Sequence, residues 1–454
     1  MGKKIIIIGG GPGGYAAAIR AAQLGADVIL AEKAEIGGTC LNVGCIPTKA
    51  LLHTAEFYKK LVSNSVAGVK SVGASLDWPA AQIHKAEVVS RLTGGVQALL
   101  RHNGVRVISE SASLLSANRV KIGDNEFEAD AVLLATGSEN TLPPFPGAEL
   151  TIESTAALAL KDVPKSMVII GGGVIGVELA ALYGALGTQI TILEMQPEIL
   201  PQFDTDISAY LRETMVNDGV KIYNGAKLTE VKKSKKEFLA EFEHDGTIHS
   251  VTAQYVLTAV GRRPNTADLG LTELGIKLQK GAVAVNEYFE TSASGVYAVG
   301  DCNGNAMLAH AAMAQGVSAA EHIMGVTPHY NAGIIPGCVY SSPEIASVGM
   351  TEKAVSESGT EYSIGFFSLE NNGKAIIEGT GGFIKIIADK RLGEILGVHI
   401  IGPRATELIA EAALCMSMEG TVEDIVRTIH AHPTVSEAVA EAAMSVFGKP
   451  LHGI

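Results

Sequence analysis

The sequence is poor in charged residues. They make up only 18% of the 454 residues, and the formal net charge is −13. Such a chain has no basic surface with which to neutralise a row of phosphates, so we do not expect it to bind nucleic acid. We interpret the negative charge as a contribution to solubility.

Cysteines are few, and long apolar segments are missing. No stretch is apolar enough over enough residues to span a bilayer, so no membrane association is expected. The N-terminal MGKKIIIIGG shows no features of a signal or transit peptide. Five cysteines in so long a chain do not form a secreted disulfide framework. These features together predict a cytoplasmic protein.

Glycine and apolar residues, in contrast, are abundant. The chain contains 51 glycines, and 47% of its residues are hydrophobic. This composition predicts a large α/β protein with many tight turns between strands and helices. The length is too great for one hydrophobic core, so about three domains are expected.

One motif occurs twice along the chain. The first copy, IIIIGGGPGGYAAAIRAAQLGADVILAEK, begins at Ile5, and the second, MVIIGGGVIGVELAALYGALGTQITILEM, begins at Met167. Each copy has an apolar run, a glycine cluster, an alanine-rich helix and a second apolar run that leads to an acidic residue. The matching positions are Gly9, Gly11, Gly14 and Glu32 in the first copy, and Gly171, Gly173, Gly176 and Glu194 in the second.

Each copy predicts a binding site for a dinucleotide. The first glycine permits a tight turn, the second lets the backbone approach a pyrophosphate, and the third lets the helix pack on the strand. The closing glutamate would accept a hydrogen bond from a ribose 2′-hydroxyl and would repel a 2′-phosphate, so Glu194 favours NAD over NADP. Glycines that serve only packing are the alternative. Two copies predict two dinucleotides, a flavin and a nicotinamide.

The remaining segments complete this organisation. ADAVLLATGS from Ala129 and QYVLTAVGRRPN from Gln254 each predict a late strand of their unit, and SGVYAVGDC from Ser294 predicts a further strand followed by a helix. From about residue 333, alternating strands and a helical C-terminal stretch carry no glycine fingerprint. We predict a first dinucleotide-binding domain at 1–142, a second at 143–265, a segment at 266–332 that completes the first, and an α+β interface domain at 333–454.

Two of the cysteines, Cys40 and Cys45, stand close together in IGGTCLNVGCIPTK at residues 36–49. A metal site, a structural disulfide and a redox pair are all compatible with this segment taken alone. The segment, the two glycine motifs and the C-terminal HAHPTVSEAVAEAA together resemble the pyridine nucleotide–disulfide oxidoreductases, over essentially the whole chain.

This resemblance implies a fold class, cofactors and partners. The fold is α/β, with two Rossmann-like domains that bind FAD and NAD in that order, and a C-terminal α+β dimerisation domain in a homodimer. The motifs are most similar to the branch of the family that oxidises protein-bound dihydrolipoyl groups with NAD⁺. That branch implies a lipoyl-bearing partner from a 2-oxo acid dehydrogenase complex or the glycine cleavage system. No metal is expected.

The resemblance also implies contacts with the cofactors. Besides the glycine clusters, the FAD contacts implied are Glu32, Lys49, Ala112, Thr136, Gly137, Asp301, Met307, Leu308, Ala309 and His310. Those implied for NAD are Glu194, Val231 and Gly261. Lys49 and Glu178 would form an ion pair at the reactive edge of the flavin; without the resemblance, both would be interpreted as ordinary solvated charges.

In this family the cysteine pair would be a redox disulfide. No second cysteine or histidine cluster completes a zinc site, and closing so short a loop adds little stability. In a regular helix the two Cα atoms would lie roughly 8 Å apart, beyond the roughly 4.4–6.8 Å of a disulfide, so we expect a distorted turn and a reducible bond. Two inert buried thiols are the alternative. By resemblance, Cys40 exchanges with the substrate dithiol and Cys45 faces the flavin.

The resemblance assigns the catalytic base to His432, which would act in the active site of the partner subunit. Glu437 would fix its tautomer and stabilise the imidazolium. The residues alone also allow a capping box in which Thr434 and Glu437 begin a helix. Because a carboxylate aimed at the cap is less available to the histidine, we expect these two roles of Glu437 to compete.

Two other functions stay open. The first is a reductase of glutathione or another small disulfide; Glu194 weighs against it, because such reductases typically use NADPH. The second is a flavoprotein whose main role is assembly into a larger complex.

Overall fold

A computed structural model of the chain describes residues 2–63, 66, 68–328 and 333–453. These residues divide into two compact units, each built from separate stretches of chain. The first unit takes in Met1–Ala50, Pro79–Thr141 and Gly261–Tyr330, and the second takes in Leu51–Trp78, Leu142–Val260 and Asn331–Ile454. The finer division into four segments stays a prediction.

The helices of the described residues are, in chain order, α1 (Pro12–Gln23), α2 (Gly38–Val43), α3 (Cys45–Val62), α4 (Trp78–His102), α5 (Ser154–Ala157), α6 (Val174–Ala185), α7 (Thr205–Asn217), α8 (Ala309–Ile323), α9 (Glu352–Ser358), α10 (Gly373–Glu378), α11 (Ala405–Ser417), α12 (Val422–Arg427) and α13 (Glu437–Val446). Short 3₁₀ turns occur at Ala148–Leu150, Gly300–Asn303 and Leu369–Asn371.

The strands are β1 (Lys4–Ile8), β2 (Asp27–Ala31), β3 (Arg106–Ile108), β4 (Ala112–Ser116), β5 (Arg119–Ile122), β6 (Asn125–Glu128), β7 (Ala131–Leu134), β8 (Ser138–Asn140), β9 (Ser166–Ile170), β10 (Gln189–Glu194), β11 (Lys221–Asn224), β12 (Lys227–Ser234), β13 (Glu237–His244), β14 (Thr247–Ala253), β15 (Tyr255–Thr258), β16 (Arg262–Pro264), β17 (Leu278–Gln279), β18 (Ala282–Val283), β19 (Val296–Ala298), β20 (Gly337–Val339), β21 (Glu344–Gly349), β22 (Tyr362–Ser368), β23 (Phe383–Asp389) and β24 (Ile395–Gly402).

A five-stranded sheet in the order β19-β7-β1-β2-β3 forms the centre of the first unit. Each neighbouring pair is parallel. The strands predicted in ADAVLLATGS and SGVYAVGDC are confirmed as β7 and β19, and the helix predicted after them is confirmed as α8. Parallel strands bring all their carboxyl ends to one edge of the sheet, where ligands of such folds bind. The first glycine cluster and Asp301 therefore lie along the same edge.

The second unit repeats this arrangement with a parallel sheet in the order β11-β10-β9-β15. The strand predicted in QYVLTAVGRRPN is confirmed as β15, which pairs with β9. An antiparallel meander of β12, β13 and β14 follows the third strand of the sheet in the chain. Both motif copies therefore have the strand–turn–helix–strand structure that a dinucleotide-binding domain requires.

The C-terminal part of the second unit is an antiparallel sheet in the order β20-β21-β24-β23-β22. The buried faces of α11 and α13 contribute to the same hydrophobic core as β23 and β24. This part is the predicted α+β domain, since its helices accompany an antiparallel sheet rather than the parallel sheet of a dinucleotide-binding unit. Among the described residues, no helix is both long enough and apolar enough to cross a membrane.

A buried ion cluster ties α7 to this antiparallel sheet. The side chain of Lys385 is 3% exposed, and its Nζ lies 3.0 Å from Asp204 Oδ1, 2.6 Å from Asp206 Oδ2 and 2.5 Å from Glu352 Oε2. Burial raises the pKa of Asp204, but contacts that include the Glu352 N–H and Lys385 outweigh it and hold that pKa below its usual value. The stabilisation from Asp204 is therefore present above the usual pKa of an aspartate and is lost as the pH falls through the lowered value.

Candidate active site

The first glycine cluster forms an open turn at the edge of the parallel sheet. Gly9 has a φ of +109°, and a Cβ there would overlap the carbonyl oxygen of Ala135, while a Cβ at Gly14 would overlap the carbonyl oxygen of Gly9. The packing of the protein itself requires these two glycines. A Cβ at Gly11, however, would meet no atom closer than 3.9 Å. The missing side chain therefore leaves space for a ligand at the N-terminus of α1.

The second cluster has the same geometry. A Cβ added at Gly171 would lie 2.5 Å from the carbonyl oxygen of Ala259. A Cβ added at Gly176 would overlap the carbonyl oxygen of Gly171. At Gly173 nothing lies within 4 Å of the Cβ position. Both turns thus contain a cradle that a side chain would fill, next to free N–H groups of a helix. These residues fit the pyrophosphates of FAD and NAD.

Gly173→Ala should weaken NAD⁺ binding without disturbing the fold, because the added methyl group enters only the empty cradle. We expect the dissociation constant of NAD⁺ to rise on the order of tenfold, which corresponds to roughly 1.4 kcal/mol. Titration of NAD⁺ followed by protein fluorescence measures this change, and circular dichroism checks the fold. Gly94→Ala, in the open middle of α4, is the matched control. An unchanged affinity of Gly173→Ala would contradict the assignment of the cradle.

The closing glutamates of both motifs are held by backbone amides. Glu32 accepts hydrogen bonds from the N–H of Gly10 at 2.6 Å and from the N–H of Ala34 at 2.8 Å. Glu194 repeats both contacts with the equivalent glycine and with the residue two positions further on, at 2.5 and 2.6 Å. An ionised carboxylate has lone pairs beyond these two bonds. Each glutamate is therefore fixed in place and can still accept a hydrogen bond from a ribose hydroxyl.

Asp301 has a side-chain partner that the sequence did not indicate, and a third residue holds that partner. Ser138 Oγ donates to Asp301 Oδ2 at 2.5 Å, and Arg262 Nε donates to Ser138 Oγ at 2.7 Å. The nearby Thr136 donates through Oγ1 to the carbonyl oxygen of Asn265 at 2.7 Å. These contacts join segments more than one hundred residues apart in sequence, so no local pattern could have predicted them.

The other predicted cofactor contacts have defined positions, but their contacts with FAD or NAD stay predictions. Gly137 has a φ of +70°, and Gly261 has a φ of +110°. Val231 is buried in β12, and its N–H donates to the carbonyl oxygen of Pro146. The rest lie at the starts of elements: Ala112 begins β4, Met307 and Leu308 precede α8, and Ala309 and His310 begin it.

The segment that carries the two cysteines, residues 36–49 (the cysteine loop), packs directly against the first glycine cluster. The N–H of Gly37 donates to the carbonyl oxygen of Gly10 at 2.9 Å. A Cβ at Gly38 would lie 2.8 Å from the Cα of Gly11, and both loop glycines have positive φ angles. The loop can approach this closely only because it carries glycine here. The cysteines therefore lie beside the cradle that fits FAD.

The chain makes a sharp turn between the two cysteines, as predicted. Helix α2, which contains Cys40, ends at Val43; Gly44 follows with φ −134° and ψ −108°, and Cys45 begins α3. Both cysteines are thiols rather than a disulfide. A hydrogen bond to Cys45 and burial raise the pKa of Cys40, and the nearby Lys49 opposes them. The two side chains are therefore within hydrogen-bonding distance of each other.

Tyr15 is a neighbour of the cysteines that the sequence analysis missed. It lies on α1 directly after Gly14, and its Oη donates to Met313 Sδ at 3.6 Å. Burial and then the charges of Cys40 and Cys45 raise the pKa of Tyr15. The phenol is therefore close enough to respond to the charge on both sulfur atoms.

Lys49 and Glu178 lie on α3 and α6, the helices that begin in the cysteine loop and in the second glycine cluster. Glu178 is buried, and its Oε1 accepts a hydrogen bond from the N–H of Tyr340 at 3.0 Å. This contact orients the carboxylate within its own unit. The ion pair between Lys49 and Glu178 stays a prediction.

Glu437 holds His432 and a backbone amide at the same time. Its Oε1 lies 2.9 Å from His432 Nδ1, and its Oε2 accepts the N–H of Thr434 at 2.8 Å. The two contacts coexist, because each uses a different oxygen. Only half of the predicted capping box forms, since Thr434 Oγ1 donates to the carbonyl oxygen of Ala431 and α13 begins at Glu437 itself.

This arrangement leaves one ring nitrogen of His432 available to accept a proton. Burial raises the pKa of Glu437, but the Thr434 N–H and His432 outweigh it and lower that pKa below its usual value. An ionised carboxylate can only accept hydrogen bonds, so Nδ1 of His432 carries the proton and Nε2 is free to take another. The His432 side chain is 80% exposed within its own chain. It is therefore available to a substrate or to a second subunit.

Comparison with known proteins agrees with this geometry. Residues 3–316 match the family described as "Pyridine nucleotide-disulphide oxidoreductase", and residues 335–443 match the dimerisation domain of that family. The chain belongs to this family. The second match supports a homodimer, and it covers the antiparallel sheet together with the His432 segment.

Individual pyridine nucleotide–disulphide oxidoreductases match over nearly their whole length. A dihydrolipoyl dehydrogenase from Bacillus subtilis is 42% identical, with 99% of each chain covered. The mitochondrial dihydrolipoyl dehydrogenase of Pisum sativum is 40% identical, with 99% of this chain and 92% of the pea protein covered. The crystal structure of LpdA from Mycobacterium tuberculosis superposes with a TM-score of 0.90 at 28% identity, covering 98% of this chain and 99% of that one.

Proposed function

We propose that this oxidoreductase oxidises protein-bound dihydrolipoyl groups and reduces NAD⁺ to NADH. The observation that carries the proposal is the cysteine pair, which lies at the break between α2 and α3 and packs against the first dinucleotide cradle. Relatives named dihydrolipoyl dehydrogenase, with about 40% identity over the full chain, support the same activity.

The reaction begins with Cys40 and Cys45 joined as a disulfide. Nε2 of His432, contributed by the second subunit, takes a proton from one substrate thiol. The resulting thiolate attacks Cys40 Sγ, breaks the disulfide and releases Cys45 as a thiolate. The second substrate thiol then displaces Cys40 from the mixed disulfide, and its proton passes to the departing Cys40 sulfur. This step yields the lipoyl disulfide and Cys40 as a thiol.

Two electrons then reside on the cysteine pair. Cys45 is the first residue of α3, where the free N–H groups and the helix dipole favour a thiolate. The first glycine cradle would hold FAD, which would supply the two-electron chemistry that links the cysteine pair to NAD⁺. Glu194 would choose NAD⁺ over NADP⁺, because a carboxylate repels a 2′-phosphate.

The partners and location follow from the same proposal. The dithiol arrives on a lipoyl-bearing protein, from a 2-oxo acid dehydrogenase complex or the glycine cleavage system. From the sparing use of cysteine we infer a cytoplasmic location. We propose three domains: an FAD domain at 1–142 and 266–332, an NAD domain at 143–265, and an interface domain at 333–454.

A steady-state assay of the FAD-loaded protein tests the function. We expect dihydrolipoamide to be oxidised with NAD⁺, and kcat/KM to be lower with NADP⁺ by about 100-fold or more. Glutathione disulfide should not be reduced with NADH or NADPH. Rapid reduction of glutathione disulfide with NADPH would instead establish the reductase of a small disulfide. Absence of activity with both dihydrolipoamide and glutathione disulfide would indicate that the protein has mainly a role in assembly.

A further inference from the structure

Asn372 connects α10 to the segment that carries the proposed base. The residue is 5% exposed and immediately precedes α10. Its Oδ1 accepts the N–H of Ala375 at 3.0 Å, which caps the helix. Its Nδ2 donates to the carbonyl oxygen of Thr434 at 3.0 Å, across 62 residues of sequence. Both ends of the buried amide are therefore used.

Thr434 is held on both sides of its Cα. Asn372 binds its carbonyl oxygen, while its N–H donates to Glu437 Oε2 at 2.8 Å. The other oxygen of Glu437 lies 2.9 Å from His432 Nδ1. Hydrogen bonds, joined through the backbone of Thr434, thus connect the start of α10 to the imidazole.

Besides core packing, few side-chain hydrogen bonds hold residues 431–437 in place. Val435 is buried in the core, and the hydroxyl of Thr434 bonds only to Ala431 and Ser436 within the segment itself. In the described part of the chain, no side chain outside residues 431–437 other than Asn372 hydrogen-bonds to it. Because the His432 ring is largely exposed, these hydrogen bonds decide where it points within its own subunit.

We propose that Asn372 is a positioning residue for the base. It fixes the Thr434 peptide, which orients the Glu437 carboxylate, which in turn orients the ring of His432. Asn372 does not touch the substrate, and the inference rests on the proposed role of His432 in oxidising a dithiol. Its effect should appear in the proton-transfer step and not in electron transfer from NADH.

Asn372→Ser is the test, because serine can still accept the N–H of Ala375 and cap α10, but its short side chain cannot also donate to the carbonyl oxygen of Thr434. We expect kcat with dihydrolipoamide to fall on the order of tenfold with little change in KM, since a misplaced base slows the chemical step. Electron transfer from NADH to a quinone should be unchanged. Amide hydrogen exchange in peptides covering residues 431–437 should be faster. Asn372→Asp, which also keeps the cap, should give the same results.

Thr351→Ala is the matched control. Thr351 Oγ1 accepts the N–H of Ala354 at 3.2 Å and caps α9 in the same domain, without any contact to the base. It should leave kcat and the exchange of residues 431–437 unchanged. Wild-type exchange and kcat in Asn372→Ser, or an equal loss in Thr351→Ala, would overturn the positioning role. An inactive wild-type protein would instead refute the proposed function, while the exchange measurement would still judge the positioning role.

Discussion

Replacing Cys40 with serine should abolish the oxidation of dihydrolipoamide by NAD⁺ while leaving electron transfer from NADH to a quinone intact. Serine nearly preserves the shape of the side chain, but its oxygen cannot form the disulfide or the mixed disulfide. Loss of an essential nucleophile of this kind lowers kcat on the order of 10³-fold or more. The quinone reaction should need only FAD and NADH bound at the two glycine cradles, and it should not need the cysteines.

The two activities are measured on the same FAD-loaded preparation. Cys415→Ser is the matched control, because Cys415 Sγ contacts the carbonyl oxygen of Thr421 and a serine hydroxyl can donate there as well. It should retain both activities. If Cys40→Ser still oxidised dihydrolipoamide at the wild-type rate, the cysteine pair would not be the redox centre. If it lost the quinone reaction too, the change would have damaged the flavin site, and a Cys45→Ser variant would be needed to separate the effects.

The dinucleotide folds could be predicted because their requirements are local. Gly9 and Gly171 adopt positive φ angles, and Gly14 and Gly176 stand where any Cβ would strike the backbone of the same turn. These requirements involve residues that are close together in the sequence, so they produce a recognisable sequence pattern. The apolar runs of β7 and β15 could be predicted for the same reason, since buried parallel strands need continuous hydrophobic residues.

Contacts between distant segments could not be predicted. Asn372 and Thr434 are 62 residues apart, and Ser138 and Asp301 are 163 residues apart. In neither pair does the sequence around one residue indicate which distant residue will contact it. The fold supplies these pairs through sheet order and core packing, which depend on the whole chain.

The two roles of Glu437 illustrate a different limit. The sequence showed both a capping pattern and a histidine–carboxylate pair, and we expected the two to compete. The structure resolves the conflict by geometry, because one oxygen faces the Thr434 amide and the other faces the imidazole. A sequence pattern shows which side chains are present, whereas the hydrogen bonds of a site depend on the positions of individual atoms and their lone pairs.

Glu437→Gln should lower kcat for dihydrolipoamide on the order of 10²-fold. Glutamine has the same shape, but its amide has only one acceptor oxygen. If that oxygen accepts from Thr434, the amide NH₂ faces the N–H of His432, and if it accepts from His432, the NH₂ faces the N–H of Thr434. Either arrangement sets two donors against each other, and neither supplies the negative charge that stabilises the imidazolium. Electron transfer from NADH to a quinone should be unaffected.

The pH dependence of the same variant separates charge from geometry. Because the pKa of Glu437 lies below its usual value, the carboxylate acts at every pH above the ordinary carboxyl range and loses its effect as the pH falls through the lowered value. The ratio of wild-type to variant kcat should therefore be constant near neutrality and shrink only in acid. Glu441→Gln is the control, since Glu441 lies on the same helix and also binds a histidine, His452, and two backbone amides that follow the helix. An equal loss in Glu441→Gln would show that α13 matters as a whole; a loss confined to Glu437 would assign the effect to the carboxylate that faces the base.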